Sequence, residues 1–148
     1  MTKVPSLEIF SHVEEVSPEE CDQLLAWSEK ALPLCLSYPG SGSRDLPELG
    51  GVEISIVSDG VIAEVHGQFL DDPTPTDVIT FQHGELLVSH DTAKSVVQGH
   101  QHSALEELFL YIVHGLLHLN GHLDHEADLM TAMHEIQDRI WGEVLQGN

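Results

Sequence analysis

Basic residues are scarce in this chain. Lys3, Lys30, Arg44, Lys94 and Arg139 stand against 25 acidic residues, are scattered along the sequence, and leave a formal net charge of -20. Non-specific affinity for nucleic acid is largely counterion release by lysine and arginine, so this balance argues against broad binding to DNA or RNA. Its plainest meaning is a solvated acidic surface. Cysteine is almost missing as well: Cys21 and Cys35, both in apolar surroundings, exclude a disulfide scaffold and fit a reducing cytoplasm. No apolar run approaches the ~18–20 residues of a membrane span, so no membrane partner is expected. The opening MTKVPSLEIF lacks the continuous apolar core of a signal peptide. A phosphate-cradling loop is missing too, because no strand leads into SYPGSGSRDLPELGG and no Gly-Lys pair closes it.

The 148 residues, 41% of them hydrophobic, suit one domain spanning 1–148. SLEIF alternates like a short strand. VSPEE then offers Ser17 as N-cap, Pro18 at the first helical position and Glu20 to close a capping box. The helix that follows carries Cys21, Leu24, Leu25, Ser28 and Leu32 on one face and is expected to end at Pro33. VEISIV has the alternation of a half-buried strand. Asp59 can cap a helix whose inner face is Ile62, Val65, His66 and Phe69, and LDDPTPTD breaks it. VITF and GELLVS form two strands around a turn at His83 and Gly84, and Asp91 can cap a short helix carrying Ala93, Val96 and Val97. The order β-α-β-α-β-β-α-α-α predicts an α/β fold, a small mixed sheet of about four strands covered by helices.

What the chain does have is histidine, concentrated in HGLLHLNGHLDH at residues 114–125. From Ala104 to Leu119 the apolar residues surround nearly the whole helix, so an imidazole there needs a specific partner. His114 and His118 lie one turn apart on one side, the spacing at which two rings can share a metal. Gly115 costs ~1 kcal/mol in a helix interior, which makes sense if something approaches the backbone there. Asn120 and Gly121 end the helix with a left-handed cap, and the chain turns back to bring His122, Asp124 or His125 up as a third ligand. Three protein ligands with an open position is the arrangement of a catalytic zinc. The glutamate of an HExxH peptidase is replaced by Gly115, and Glu106 and Glu107 lie two turns upstream.

This segment resembles the YbeY family, metal-dependent endoribonucleases of bacterial ribosomal RNA maturation, whose hallmark is close to H-G-x-L-H-L-x-G-Y-D-H. His114, Gly115, Leu117, His118, Leu119 and Gly121 match it without a gap. PTDVITF, Pro75 to Phe81, is similar to the family's P-T-D-V-L-S-F segment, and GELLVSHDTA to its G-D-I-x-I-S strand and following helix. The resemblance covers roughly residues 52 to 145 and implies a small α/β domain with a metal cleft on a central helix of its C-terminal half. It implies one Zn²⁺, held by His114, His118 and Asp124, since the gapless count puts the family's third histidine on Asp124. His125 is the rival third ligand after a one-residue shift. His122 falls on a tyrosine position and is a neighbour rather than a ligand.

The family commonly carries an arginine shortly before P-T-D-V, and here that position is Leu70, which cannot hold phosphate. His66, one helical turn earlier, Thr76 and Asp77 are the expected cleft residues, with Thr76 and Asp77 also able to fix the turn by side-chain to backbone bonds. The function so implied is zinc-dependent, single-strand-specific endoribonuclease activity in maturation of small-subunit (16S) ribosomal RNA in the cytoplasm, with ribosomal RNA and the small subunit or its assembly proteins as partners and DNA excluded. Catalysis runs through the ion of His114 and His118, with no general base assigned. The alternatives are a metal-containing ribosome-assembly factor with little nuclease activity of its own, favoured by Leu70 and the acidic composition, and a metallohydrolase of another substrate.

Overall fold

The structure is a computed structural model that describes residues 4–72, 74 and 76–147; Pro75, the first residue of the PTDVITF match, lies outside them. The chain runs β1 (Ser6–Ser11), α1 (Pro18–Leu36), a 3-10 turn (Leu46–Glu48), β2 (Gly51–Val57), α2 (Asp59–Leu70), β3 (Val78–Phe81), β4 (Glu85–Ser89), α3 (His90–Val96), α4 (Ala104–Leu119) and α5 (Ala127–Gln146). The expected α/β class and element order are those observed. One four-stranded sheet has the order β1-β2-β4-β3, parallel at its first two interfaces and antiparallel in the β3–β4 hairpin.

Strand alternation divides the side chains between two faces. The inner face presents Leu7, Val52, Ile54, Ile56, Leu86 and Val88 to α1 and α4, and α5 packs on those two helices to complete the main core. The outer face carries a much smaller cluster, Val57, Ile62, Ile79 and Leu87, beneath α2. Helix α4 is buried almost all round, with Leu108, Phe109, Ile112, Val113, Leu116, Leu117 and Leu119 inaccessible. It lies close to the sheet at Gly115, where a Cβ would come within 2.8 Å of Leu86 Cδ2. That neighbour is itself fully buried and has no room to swing away.

Helix α1 begins as its sequence predicts, with Ser17 and Glu20 forming a capping box and Pro18 in the first turn. It does not stop at Pro33, which sits inside it with its ring facing solvent. The missing N–H leaves only the Glu29 carbonyl without its helical donor. In return the extra turn buries Cys35, and the last carbonyls find partners: Asn120 Nδ2 donates to Cys35 O at 2.8 Å and Arg44 Nη2 to Leu36 O at 3.4 Å. Cys35 is inert in this setting, its thiol pushed up to about 12 by burial.

Two caps move by one or two residues from their expected positions. Ser58, not Asp59, caps α2, and Ser89, not Asp91, caps α3. The aspartates instead join the two helix starts: Asp59 accepts from Ser89 Oγ and Thr92 Oγ1, and Asp91 accepts from the Asp59 N–H at 2.8 Å. Phe69, expected on the inner face of α2, is 66% exposed.

The close contact at Gly115 gives a stability test. Gly115→Ala should lower the unfolding free energy measured in urea by about 1–3 kcal/mol, because overpacking against Leu86 outweighs the gain of ~1 kcal/mol in helix propensity. Leu86→Val in the same chain should recover part of the loss. Stabilisation by Gly115→Ala alone would contradict the packing.

Candidate metal centre

Helix α4 presents His114 and His118 to one side, with ring centroids 4.5 Å apart. After the turn at Gly121, whose φ of 96° favours glycine, the chain brings Asp124 back beside them. His114 Nε2 lies 3.0 Å from His118 Nε2, and Asp124 Oδ2 lies 3.3 Å from that same His118 nitrogen. One ligand atom from each of the three residues falls within 4.8 Å of the others. His125 is exposed and is not part of this group. Asp124 does not cap α5, whose N-cap residue is Glu126.

The remaining ring nitrogens settle what the cluster can bind. His118 Nδ1 donates to the His122 carbonyl at 2.9 Å, and a carbonyl only accepts, so the neutral ring carries its proton on Nδ1 and a lone pair on Nε2. His114 Nδ1 donates in the same way to Gln137 Oε1 at 2.6 Å. Burial, and then the neighbouring His118, hold the His114 imidazole below its ordinary pKa, keeping it neutral and able to donate a lone pair. Two imidazole lone pairs and a carboxylate therefore face one another with no donor between them. Such a set fits a cation of nitrogen and oxygen preference, and the two Nδ1 bonds are the outer contacts that fix ligating histidines in tautomer and angle.

Gln137 was missed in the sequence. It is the one polar residue in the buried series Met133, Gln137, Ile140 and Val144 of α5, and that interruption of an apolar stripe is the signal that marks it. His122 is structural twice over. Its carbonyl orients His118, and its own Nε2 bonds Tyr38 O at 2.6 Å.

The three residues stand in a cleft of about 350 Å³ whose walls include Leu70, Thr76, Asp77, Thr80 and Gln82. Among the described residues, no lysine or arginine lines it. Thr76 and Asp77 line the cleft; Asp77 Oδ1 also accepts the Val78 N–H at 2.8 Å at the entry to β3, while the Thr76 hydroxyl bonds the Asp77 carboxylate at 3.4 Å rather than the backbone. His66 does not line it and bonds the Thr74 carbonyl through Nδ1 at 2.9 Å. Glu106 is taken up by the α4 capping box with Ser103, and Glu107 is buried against His102 Nε2 at 2.7 Å, so neither reaches the cleft. A larger groove of about 810 Å³ lies over the outer face of the sheet, but no set of converging ligands is found there among the described residues.

Comparison with known proteins agrees with this architecture. The family model described as endoribonuclease YbeY matches residues 18–144. The endoribonuclease YbeY of Rhodopirellula baltica is 37% identical over 94 residues, covering 57% of this chain and 48% of that protein. The Synechococcus sp. (strain CC9902) protein of the same name is 33% identical over 120 residues, 71% of this chain and 66% of its own. The chain thus spans about half to two thirds of the length of these two relatives. For the Leptospira biflexa endoribonuclease YbeY, 30% identity extends over 147 residues, 87% of this chain and 88% of that protein. A solution structure from Thermotoga maritima shares the fold, with a TM-score of 0.55 at 23% identity over 95% of this chain and 93% of its own. With a family model matched from α1 to the last turns of α5, and relatives of one name at 30–37% identity, the chain belongs to the endoribonuclease YbeY family.

Proposed function

We propose that the chain is a metal-dependent endoribonuclease, one domain over residues 1–148, that cuts single-stranded RNA during maturation of small-subunit ribosomal RNA in the cytoplasm. The observation that carries this reading is the convergence of His114 Nε2, His118 Nε2 and Asp124 Oδ2, all acceptors, on one side of an open cleft. Family membership supplies the reaction class, and the donor set favours Zn²⁺. When bound, the ion supplies Lewis-acid polarisation of a phosphate oxygen and lowers the pKa of water.

The chain's own residues do the rest. Gln137 and the His122 carbonyl hold the two imidazoles by their Nδ1 protons, so the rings neither rotate nor change tautomer. Asp124 offsets part of the ion's charge. Thr76 and Gln82 line the cleft with hydroxyl and amide groups suited to sugar and phosphate oxygens. Asp77 is the other carboxylate lining the cleft, and Leu70 supplies no cation to the substrate. No helix among the described residues is long and apolar enough to cross a membrane.

A cleft wall without lysine or arginine also favours a second reading, a metal-containing assembly factor that docks on the small ribosomal subunit and has little nuclease activity of its own. Salt separates the two, since phosphate contacts weaken steeply with ionic strength and protein docking need not.

The deciding experiment is cleavage of single-stranded ribosomal RNA by the purified protein, with and without chelator, beside His114→Ala prepared identically. Chelator-sensitive cutting that disappears in the variant is expected; equal inactivity of both proteins while the parent carries stoichiometric metal would select the assembly-factor reading. Metal content should fall strongly in Asp124→Ala and stay near that of the parent in His125→Ala, and the reverse order would dismiss Asp124 as ligand. Gln137→Leu should weaken zinc affinity by about 10–100-fold in a competitive chelator titration, with the fold retained by circular dichroism.

A further inference from the structure

The two faces of the sheet are covered unequally. Two helices, α1 and α4, pack on the inner face with α5 against them, while the outer face is sheltered chiefly by α2 at one end. A helix is ~10 Å across and strands lie ~4.8 Å apart, so one helix covers about two strands of four. The uncovered part is the 810 Å³ groove between α2 and the end of β1. Val61, Val65 and Phe69, one stripe of α2, line it with Val57, Leu87 and Phe81, and Phe69 closes one side by packing edge-on against Phe81 with ring centroids 5.6 Å apart. Val61 and Phe69 are 44% and 66% exposed, far more than the packed stripe of an amphipathic helix leaves open. Phe10, the outward residue of β1, adds a further exposed ring on the same face.

One end of the groove is marked by charge. The register places Glu8 opposite Glu53 and Glu53 opposite Glu85, so three carboxylates stand side by side on adjacent strands. Like charges in direct cross-strand register destabilise a sheet. His83 lies 3.1 Å from Glu85, and among the described residues no lysine or arginine lines the groove or the 330 Å³ depression over the row. A sheet carries such an arrangement at a cost that a cationic neighbour would reverse.

We propose that this face docks one helix of a partner protein, amphipathic and basic, its apolar stripe in the groove of α2 and its lysines or arginines over Glu8, Glu53 and Glu85. The occupant completes the missing outer layer and neutralises the row in one step. A second copy of this chain does not suit the face, because it brings another net charge of -20 to an acidic rim. An anionic lipid surface or an RNA strand is repelled for the same reason. The docking face lies across the sheet from the main core and shares no lining residue with the metal cleft.

The test uses the full protein and two labelled peptides of roughly 18 residues, made only of leucine and lysine in equal composition. One has its leucines on a single helical face, and the other has them spread round the helix. Fluorescence anisotropy at physiological ionic strength should show the first binding about tenfold more tightly than the second. Glu8→Lys with Glu53→Lys, and separately Phe69→Ser, should each weaken the first peptide about tenfold. Glu29→Lys with Glu135→Lys makes the same charge change on exposed positions of α1 and α5 and should stay within about twofold of the parent. Equal binding of the two peptides, or an equal loss in the Glu29/Glu135 control, would overturn the proposal in favour of attraction by the whole acidic chain. Sedimentation that shows a dimer of the parent, lost in Phe69→Ser, would overturn it in favour of a second copy. Urea unfolding of each variant verifies that it is folded, and all the substituted side chains are surface-exposed in the parent.

Discussion

The approach of α4 to β4 at Gly115 is the contact on which the site depends. Leu86 occupies the space that a side chain on residue 115 would need, so the helix backbone itself becomes the surface that meets the sheet. Successive helical residues turn by about 100°, and the positions one before and three after the contact point therefore lie together on a single flank. Those positions are His114 and His118. The depth of the backbone against Leu86 thus decides how far both rings project toward β3 and the cleft. Glycine, the residue least suited to a helix interior, is what lets two histidines on so apolar a helix reach an opening.

Once the rings are placed, their chemistry is set from outside the helix. One Nδ1 proton is taken by a side chain of α5 and the other by the backbone of the turn after α4. The two Nε2 atoms are left as acceptors by contacts from two different parts of the chain, so the metal-binding character of the pair is a tertiary property. An HxxxH helix in isolation would leave both tautomers and both ring orientations unset. The scarcity of positive charge pushes in the same direction, because a cation held by His114, His118 and Asp124 would be the principal positive charge of a cleft otherwise acidic or neutral.

The sheet, the buried α4 and the return of a third ligand toward His114 and His118 were legible in the sequence because each rests on a local rule: alternation of apolar residues, full helical burial, and a glycine turn that reverses the chain over a few positions. That turn alone left His122, Asp124 and His125 open, and the family resemblance pointed to Asp124. The misplacements occur where tertiary partners override local propensity. Pro33 does not end α1 because Asn120 and Arg44 satisfy carbonyls beyond it. Asp59 and Asp91 look like caps but bond each other's helix starts. His66 shares a helix with cleft-lining Leu70 but is turned to the Thr74 carbonyl. Gln137 was readable in principle as a polar break in an apolar stripe, but its partner is 23 residues away and no spacing rule connects them.

The turn after α4 holds more than the site. Asn120 donates to Cys35 O and Tyr38 O and accepts from Arg44 Nε, while Gly42 N–H bonds the Gly121 carbonyl and His122 bonds Tyr38 O. The segment that orients His118 is therefore also the latch that closes the loop after α1, across 85 residues of sequence between Cys35 and Asn120. An ion bound by His118 and Asp124 acts on the native state alone, and its free energy is shared by every contact that must open to release those two residues. Loading the cleft thereby tightens the far end of α1, and loosening that loop opens a route by which the ion is lost. Metal retention and the integrity of a loop that carries none of the ligands are one equilibrium, seen from its two ends.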